Sequence, residues 1–333
     1  MFSKSSFRSS FKPSFKLGVI CIALLFVLLS GIRLSAEGTQ ANTLLQQGRV
    51  DEARHVLQQS LSAQPGDAES HQLLCRVYYA QEIADAAIRE CELSASIDPG
   101  NSNTQMWLGR AYGMKASRAN PLIAFSFARK VRAAFERAVQ LDPTNVQAMS
   151  DLGEYYVQAP AIVGGGLDKA RDLASRMEPR FPSQAHRLRA LIANESKDPA
   201  TAEAEFQKAV QAGRMPEAYI DLGHFYQSRH QPEKAIEALL AGVEADHRKD
   251  ATLVDAASIL TTMNRSPQLA EDLLRQYLAS SAKSDGAPAF KVHIQLGDLL
   301  SRHGDAAGAR REYAAAASLA RSYAPARKAM QGS

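Results

Sequence analysis

The chain has 333 residues, 45% apolar, 22% charged and only 7% aromatic, which is the composition of a folded soluble chain rather than a disordered or multi-span membrane one. Its formal charge of +4 originates in the first 36 residues, where five of the 39 Lys and Arg lie (Lys4, Arg8, Lys12, Lys16, Arg33) without an acid, leaving 34 positive against 35 negative side chains in the remainder. A near-neutral body argues against nucleic acid as a partner, and three cysteines are too few for a disulfide-built scaffold.

Residues 2–16 are Ser, Phe, Lys and Arg with one Pro, and an uncharged run of 16 residues separates Lys16 from Arg33. A basic start before an apolar core is an export signal, and the length lies between a cleavable signal peptide and a membrane span. The nearest small-residue cleavage pattern is Ala36-Glu37-Gly38. Residues 1–36 therefore read as a signal peptide or a retained single-pass signal anchor, which makes the protein exported: periplasmic, or membrane-anchored and facing the extra-cytoplasmic side. Membrane contact is expected only through this segment. Cys21 lies inside the apolar run, which does not support a lipoprotein attachment site.

Beyond the leader one short string returns: Leu108-Gly109-Arg110-Ala111-Tyr112, Leu152-Gly153-Glu154-Tyr155-Tyr156, Leu222-Gly223-His224-Phe225-Tyr226 and Leu296-Gly297-Asp298-Leu299-Leu300. Downstream of each comes a second set, Val131/Phe135/Ala138, Ala170/Ala174/Met177, Ala235/Leu239/Gly242 and Ala309/Tyr313/Ala316, and Pro65, Pro99, Pro143 and Pro182 close repeats. This resembles the tetratricopeptide repeat, with its Leu-Gly-x-x-Tyr, Ala-x-x-x-Phe and Pro pattern at a period of about 34 residues. The Gly164-Gly165-Gly166 run, with the flanking stretch Lys130 to Pro143, is also similar to exported bacterial tetratricopeptide proteins of unknown role.

The resemblance implies an all-α fold, a right-handed superhelical solenoid of about eight helical hairpins spanning residues 37–333. Repeats start near 34, 68, 102, 146, 183, 216, 250 and 290, and a capping helix is expected at 322–331. In each hairpin the Gly lets helix A approach helix B, and stacking buries a continuous core that a single hairpin lacks. The first repeat carries Ala41 and Leu44 at the Gly and Tyr slots, the fifth Ala190 and Ala193, and the seventh Ala257 and Leu260. Ten extra residues around 113–122 and five within 159–166 are expected to form loops at one edge. Gly164-Gly165-Gly166 reads as a turn, since no strand precedes it and no Gly-Lys-Ser/Thr follows.

The resemblance also implies that helix A lines the concave side. The candidate peptide-binding residues are then Arg76 and Tyr79 of the second repeat, Met106 and Arg110 of the third, Glu154 of the fourth and His224 of the sixth. Two Arg beside Tyr and Met suit an extended or helical peptide with an acidic end, although any solvated helix face carries such residues. The carboxylate clamp of chaperone cofactors in this family is disfavoured, because its Asn pair is missing and Asp151 and Glu154 oppose a carboxylate. Trp107 reads as packing rather than a ligand cage. Cys75 takes the small slot of helix A and Cys91 the Phe slot of helix B; these slots look a turn out of register, so two buried thiols are expected.

No nucleophile motif, phosphate loop or metal spacing appears, and the eight His are scattered. The expected function is a non-enzymatic interaction scaffold or adaptor, without cofactor or metal, that binds a protein or peptide on its concave face. The alternative is a structural subunit of a membrane-anchored envelope assembly.

Overall fold

The computed structural model describes residues 37–332; the leader expected over 1–36 lies outside them. Every regular element among the described residues is helical. Helices A and B alternate as eight hairpins: α1 (residues 37–46) with α2 (Val50–Ala63), α3 (Ala68–Ala80) with α4 (Ala84–Ile97), α5 (Ser102–Ser117) with α6 (Pro121–Leu141), α7 (Val146–Gln158) with α8 (Leu167–Met177), α9 (Pro182–Glu195) with α10 (Pro199–Gly213), α11 (Pro216–Ser228) with α12 (Pro232–Ala245), α13 (Ala251–Thr262) with α14 (Pro267–Ala279), and α15 (Ala289–Arg302) with α16 (Ala306–Leu319). α17 (Ala324–Gly332) follows.

Local chemistry sets these boundaries. Asp67, Asn101, Asn120 and Asn145 each accept a hydrogen bond from a first-turn backbone N–H, and Pro occupies the opening position of α9, α10, α11, α12 and α14, where its missing N–H costs nothing. Several A-to-B turns pass through a left-handed residue: Gly48, Glu82, Lys197, His230, Asn264 and Gly304.

The small residue of helix A lies on a facing residue of helix B, 16 positions later at Gly223 and Gly297 and 26 later at Gly109, where both helices are longer. A Cβ on Gly109 would fall 2.5 Å from the Phe135 ring, on Gly223 2.8 Å from Leu239, and on Gly297 2.5 Å from Tyr313. Cys75 and Cys91 occupy this same pair of slots, and they form a disulfide with Cα atoms 5.3 Å apart. The expectation of two free thiols is corrected: the slots face each other directly, so the hairpin brings the sulfurs together. A crosslink over 16 residues stabilises by about 3 kcal/mol through the unfolded chain. Three further ties repeat with the fold, His71–Glu90, His186–Glu205 and His293–Glu312, each 2.7 Å from helix A to helix B of one hairpin.

The ten extra residues of the third repeat do not form a loop. They lengthen α5 and α6, whose first three turns stand proud of the core with Leu122, Ile123 and Phe125 exposed. The other insertion folds as a 3-10 turn (Ala161–Val163) closed by Gly164 and Gly166 at positive φ. It packs against α6, with the Tyr155 hydroxyl 2.9 Å from Ala128 O and 2.8 Å from Val163 O.

Consecutive A helices touch from α3 through α13, whereas B helices pack chiefly on A helices. Helices A therefore form the inner layer, and the curvature is tight enough for the two ends to meet. Leu44, Leu45, Val50, Leu73 and Val77 share one buried cluster with Phe290, Ala316, Ala320 and Tyr323. Polar contacts border it: Gln81 Nε2 donates to Ser322 Oγ (2.7 Å), and Ser322 Oγ donates to Asp51 (2.6 Å). Lys291 (2.7 Å) and the Tyr323 hydroxyl (3.1 Å) both donate to Glu82 Oε1, while Arg118 holds its other oxygen.

Burial would raise the Glu82 pKa, but the hydrogen bonds from Lys291, Arg118 and Tyr323 outweigh it and bring the pKa to about 2 from 4.5. A depressed carboxylate contributes stability that is complete above the unfolded value and is lost as pH falls from 4.5 to about 2. Glu82→Gln is expected to lower stability by about 1 kcal/mol at pH 7 and to increase the maximum dimension in small-angle X-ray scattering. Thermal melts are expected to show its deficit shrinking as pH approaches 2.

Candidate functional site

The inner layer creates the candidate site because equivalent positions of successive A helices stack along one face. Trp107 of α5 is partly buried, and two guanidinium groups lie over its ring, Arg110 at 4.7 Å and Arg76 at 5.5 Å from the ring centre. Tyr79 meets its edge at 5.4 Å. Such contacts contribute roughly 0.5–2 kcal/mol each and fix the direction of both guanidinium groups. Tyr79, Trp107 and Arg110 line a cavity of about 430 Å³ with Asp151, Glu154, Tyr155 and Asp285, and Arg76 borders it through its ion pair with Asp285.

Ion pairs continue the row. Arg110 Nε donates to Asp151 at 2.6 Å from α5 to α7. Arg187 of α9 reaches Glu154 of α7 and Asp221 of α11, both at 2.7 Å. A second cavity of about 340 Å³ opens among Arg110, Asp151, Arg187, Glu217 and Asp221. Burial raises the pKa of Asp151 and Asp221 above the ordinary range despite their Arg partners. For Arg187 burial acts downward, and the two carboxylates outweigh it and raise its pKa.

The row ends in an acidic stretch. Asp255 of α13 is open to the lumen, yet protein surrounds it and Asp221, Asp250 and Glu217 repel its charge, so its pKa rises from 3.8 to about 6. The concave face thus changes from cationic and aromatic at α3–α5 to anionic at α11–α13.

Of the residues expected from the sequence, Arg76, Tyr79 and Arg110 converge on Trp107, and Glu154 lies in the same cavity. His224 is exposed two repeats further along, outside that cavity. Met106 requires correction: it is 1% exposed and belongs to the core, because one step along a helix turns a side chain by about 100° and carries it from groove to interior. Trp107, its neighbour, takes the groove position. Sequence reasoning also missed Arg187, which sits in the degenerate fifth repeat, and Asp285, which lies in an inter-repeat loop and reaches Arg76 at 2.8 Å.

A convex cavity of about 500 Å³ between α8, α9 and α10 carries Arg171 and Arg189, but Asp168 and Glu178 already hold them. Among the described residues no group of three or more His, Cys, Asp or Glu is placed to hold a metal ion, and no helix is long and apolar enough to cross a membrane.

Residues 44–111 match the family model of the tetratricopeptide repeat. A Drosophila melanogaster protein described as a BBSome complex member BBS4 homolog is 23% identical over 192 residues, which cover 54% of this chain and 37% of that protein. Yeast Tom70 superposes with a TM-score of 0.52 at 16% identity, over 85% of this chain and 57% of Tom70. TTC0263, a thermophilic tetratricopeptide protein of Thermus thermophilus, gives 0.46 at 16% identity, over 68% of this chain and 99% of that one. The chain spans little more than a third of the curated relative, and the structural likeness establishes the fold alone.

A raised carboxylate favours the native state while neutral: its contribution is full below the unfolded pKa of 3.8 and is lost as pH rises through about 6. Asp255→Asn is therefore expected to raise the melting temperature at pH 8 and to leave it near wild type at pH 4, read by circular dichroism at both pH values.

Proposed function

We propose, from the premise that this is a tetratricopeptide repeat protein, that it is a non-enzymatic scaffold which binds a protein or peptide segment on its concave face in an extra-cytoplasmic compartment. The observation that carries the binding reading is the Arg76–Trp107–Arg110 cluster beside an open cavity. A partly exposed aromatic ring with two oriented guanidinium groups over it offers both apolar area and charge-assisted donors, the combination that dominates peptide interfaces. Arg76, Tyr79, Arg110 and Glu154 are the residues assigned to the site, with His224 as a flanking contact on the anionic side.

The compartment is supported by the Cys75–Cys91 disulfide, since such bonds persist in oxidising spaces, and by the export signal in residues 1–36. Alkylating the denatured, unreduced protein extracted from its host tests this: Cys75 and Cys91 are expected to stay unlabelled. Label on Cys21 would mark a retained anchor, and loss of residues 1–36 from the mature mass would mark cleavage. Labelling of both Cys75 and Cys91 would remove the oxidising compartment.

A second reading, a subunit of a membrane-anchored assembly, is favoured by the prominence made by the two insertions, where Leu122 is 87% and Ile162 77% exposed. Clustered exposed apolar side chains mark contact surfaces. A photo-crosslinking residue at Arg110, with a second at Arg137 on the outer layer, decides between the two in the native host. A partner captured only from Arg110 supports concave binding; capture from Arg137 alone, or only of further copies of the chain, supports the assembly.

A further inference from the structure

Besides Asp151 and Glu154 of the A helices, the concave site holds a carboxylate that reaches it from a distant linker. Asp285 lies in the linker between α14 and α15, 209 residues from Arg76, yet its Oδ2 accepts a 2.8 Å hydrogen bond from Arg76 Nε. Asp285 and Gly286 line the same cavity as Tyr79, Trp107 and Arg110. The linker is fastened behind this tip: the Tyr277 hydroxyl donates to Ala287 O at 2.6 Å and accepts from Ser284 N at 3.0 Å.

The two guanidinium groups beside Trp107 differ in how their charge is matched. Arg110 is paired with Asp151, which stands on a packed helix of the inner layer. The side-chain partner of Arg76 is the Asp285 carboxylate at a linker tip. Loss of the Asp285 contact leaves the ion-pair ladder of the A helices intact, whereas freeing Arg110 breaks its α5-to-α7 member. The exchangeable cation is therefore Arg76, already oriented by the face of Trp107.

We propose that the concave site selects an acidic peptide segment, that an Asp or Glu carboxylate of this ligand takes the place of Asp285 on Arg76, and that Asp285 is an internal competitor which weakens binding until displaced. This rests on the concave-face reading above and names the ligand class for that site. An intramolecular occupant lowers apparent affinity by the fraction of molecules it leaves open, so removing its charge exposes the full affinity.

The chain contains a single Trp, so emission from Trp107 reports the site directly. The probe is the capped peptide Gly-Asp-Gly-Asp-Gly, titrated at low salt into the full chain, with the Asn and Lys versions of the same peptide as controls. Asp285→Asn is expected to bind the Asp peptide about tenfold more tightly than wild type. Asp285→Glu, which keeps the charge, is expected to bind as weakly as wild type, and Arg76→Gln combined with Asp285→Asn to lose the gain. Unchanged thermal melts for the Asn and Glu variants exclude a folding effect. Equal affinity of wild type and Asp285→Asn for the Asp peptide, or a gain shared by the Asn and Lys peptides, overturns the proposal while the concave groove remains a binding surface. If neither the Asp peptide nor a host partner engages Trp107 in any variant, and Arg110 captures no partner in the crosslinking experiment, the concave-face reading itself fails.

Discussion

The regular hairpins depend on a contact between a small residue of helix A and the facing side chain of helix B, 16 positions later at Gly223 and Gly297 and 26 later at Gly109. Where the small residue is Gly, as at Gly109 under Phe135 and Gly297 under Tyr313, an added Cβ would overlap the ring, so the two helix axes approach as closely as backbone allows. In the second repeat the same juxtaposition is made covalent by Cys75 and Cys91. Each hairpin is turned slightly from the last, and small rotations accumulate along a solenoid. After eight hairpins they bring Phe290 and Tyr323 against Leu44 and Leu45. An ordinary solenoid ends in capping repeats with polar outer faces; this one buries its two ends against each other.

Closure also shapes the chemistry of the interior. Concentrating the A helices in an inner layer places Arg110, Asp151, Glu154, Arg187 and Asp221 in one row, where each charge meets its opposite on the next repeat. The desolvation that raises the pKa of Asp151 and Asp221 is the cost of lining a narrow lumen with ionisable groups, and the Arg residues offset it. The row is not symmetric. Its cationic, aromatic end lies beside the seam where the chain closes, and its anionic end lies at α11–α13.

Much of the fold was legible because the repeat writes the same packing requirement many times. The Leu-Gly-x-x-Tyr strings pointed to helix A, and Phe135, Leu239 and Tyr313 pointed to the facing slot. Errors arose where neighbouring positions have opposite fates. Met106 and Trp107 are adjacent apolar residues, and only the rotation of α5 decides that Met106 is buried while Trp107 lies between two Arg. The cysteines were misread for a related reason: sequence separation does not give the facing of two antiparallel helices unless their crossing point is known. The ten-residue insertion was read as a loop although Asn120 and Pro121 are good helix-start residues; they mark where α6 begins well beyond the core.

The sequence by itself determined the helical hairpin, its period and its internal contacts, because these rest on interactions within about 34 residues that each repeat must satisfy with its nearest neighbours. Only the tertiary structure decided that the superhelix closes, that Glu82 meets Lys291 and Tyr323, and that Asp285 reaches Arg76. Those contacts join residues more than 200 positions apart, and no repeated pattern encodes them. They follow from the summed rotation of every hairpin, a quantity fixed by packing throughout the chain and by no single motif within it.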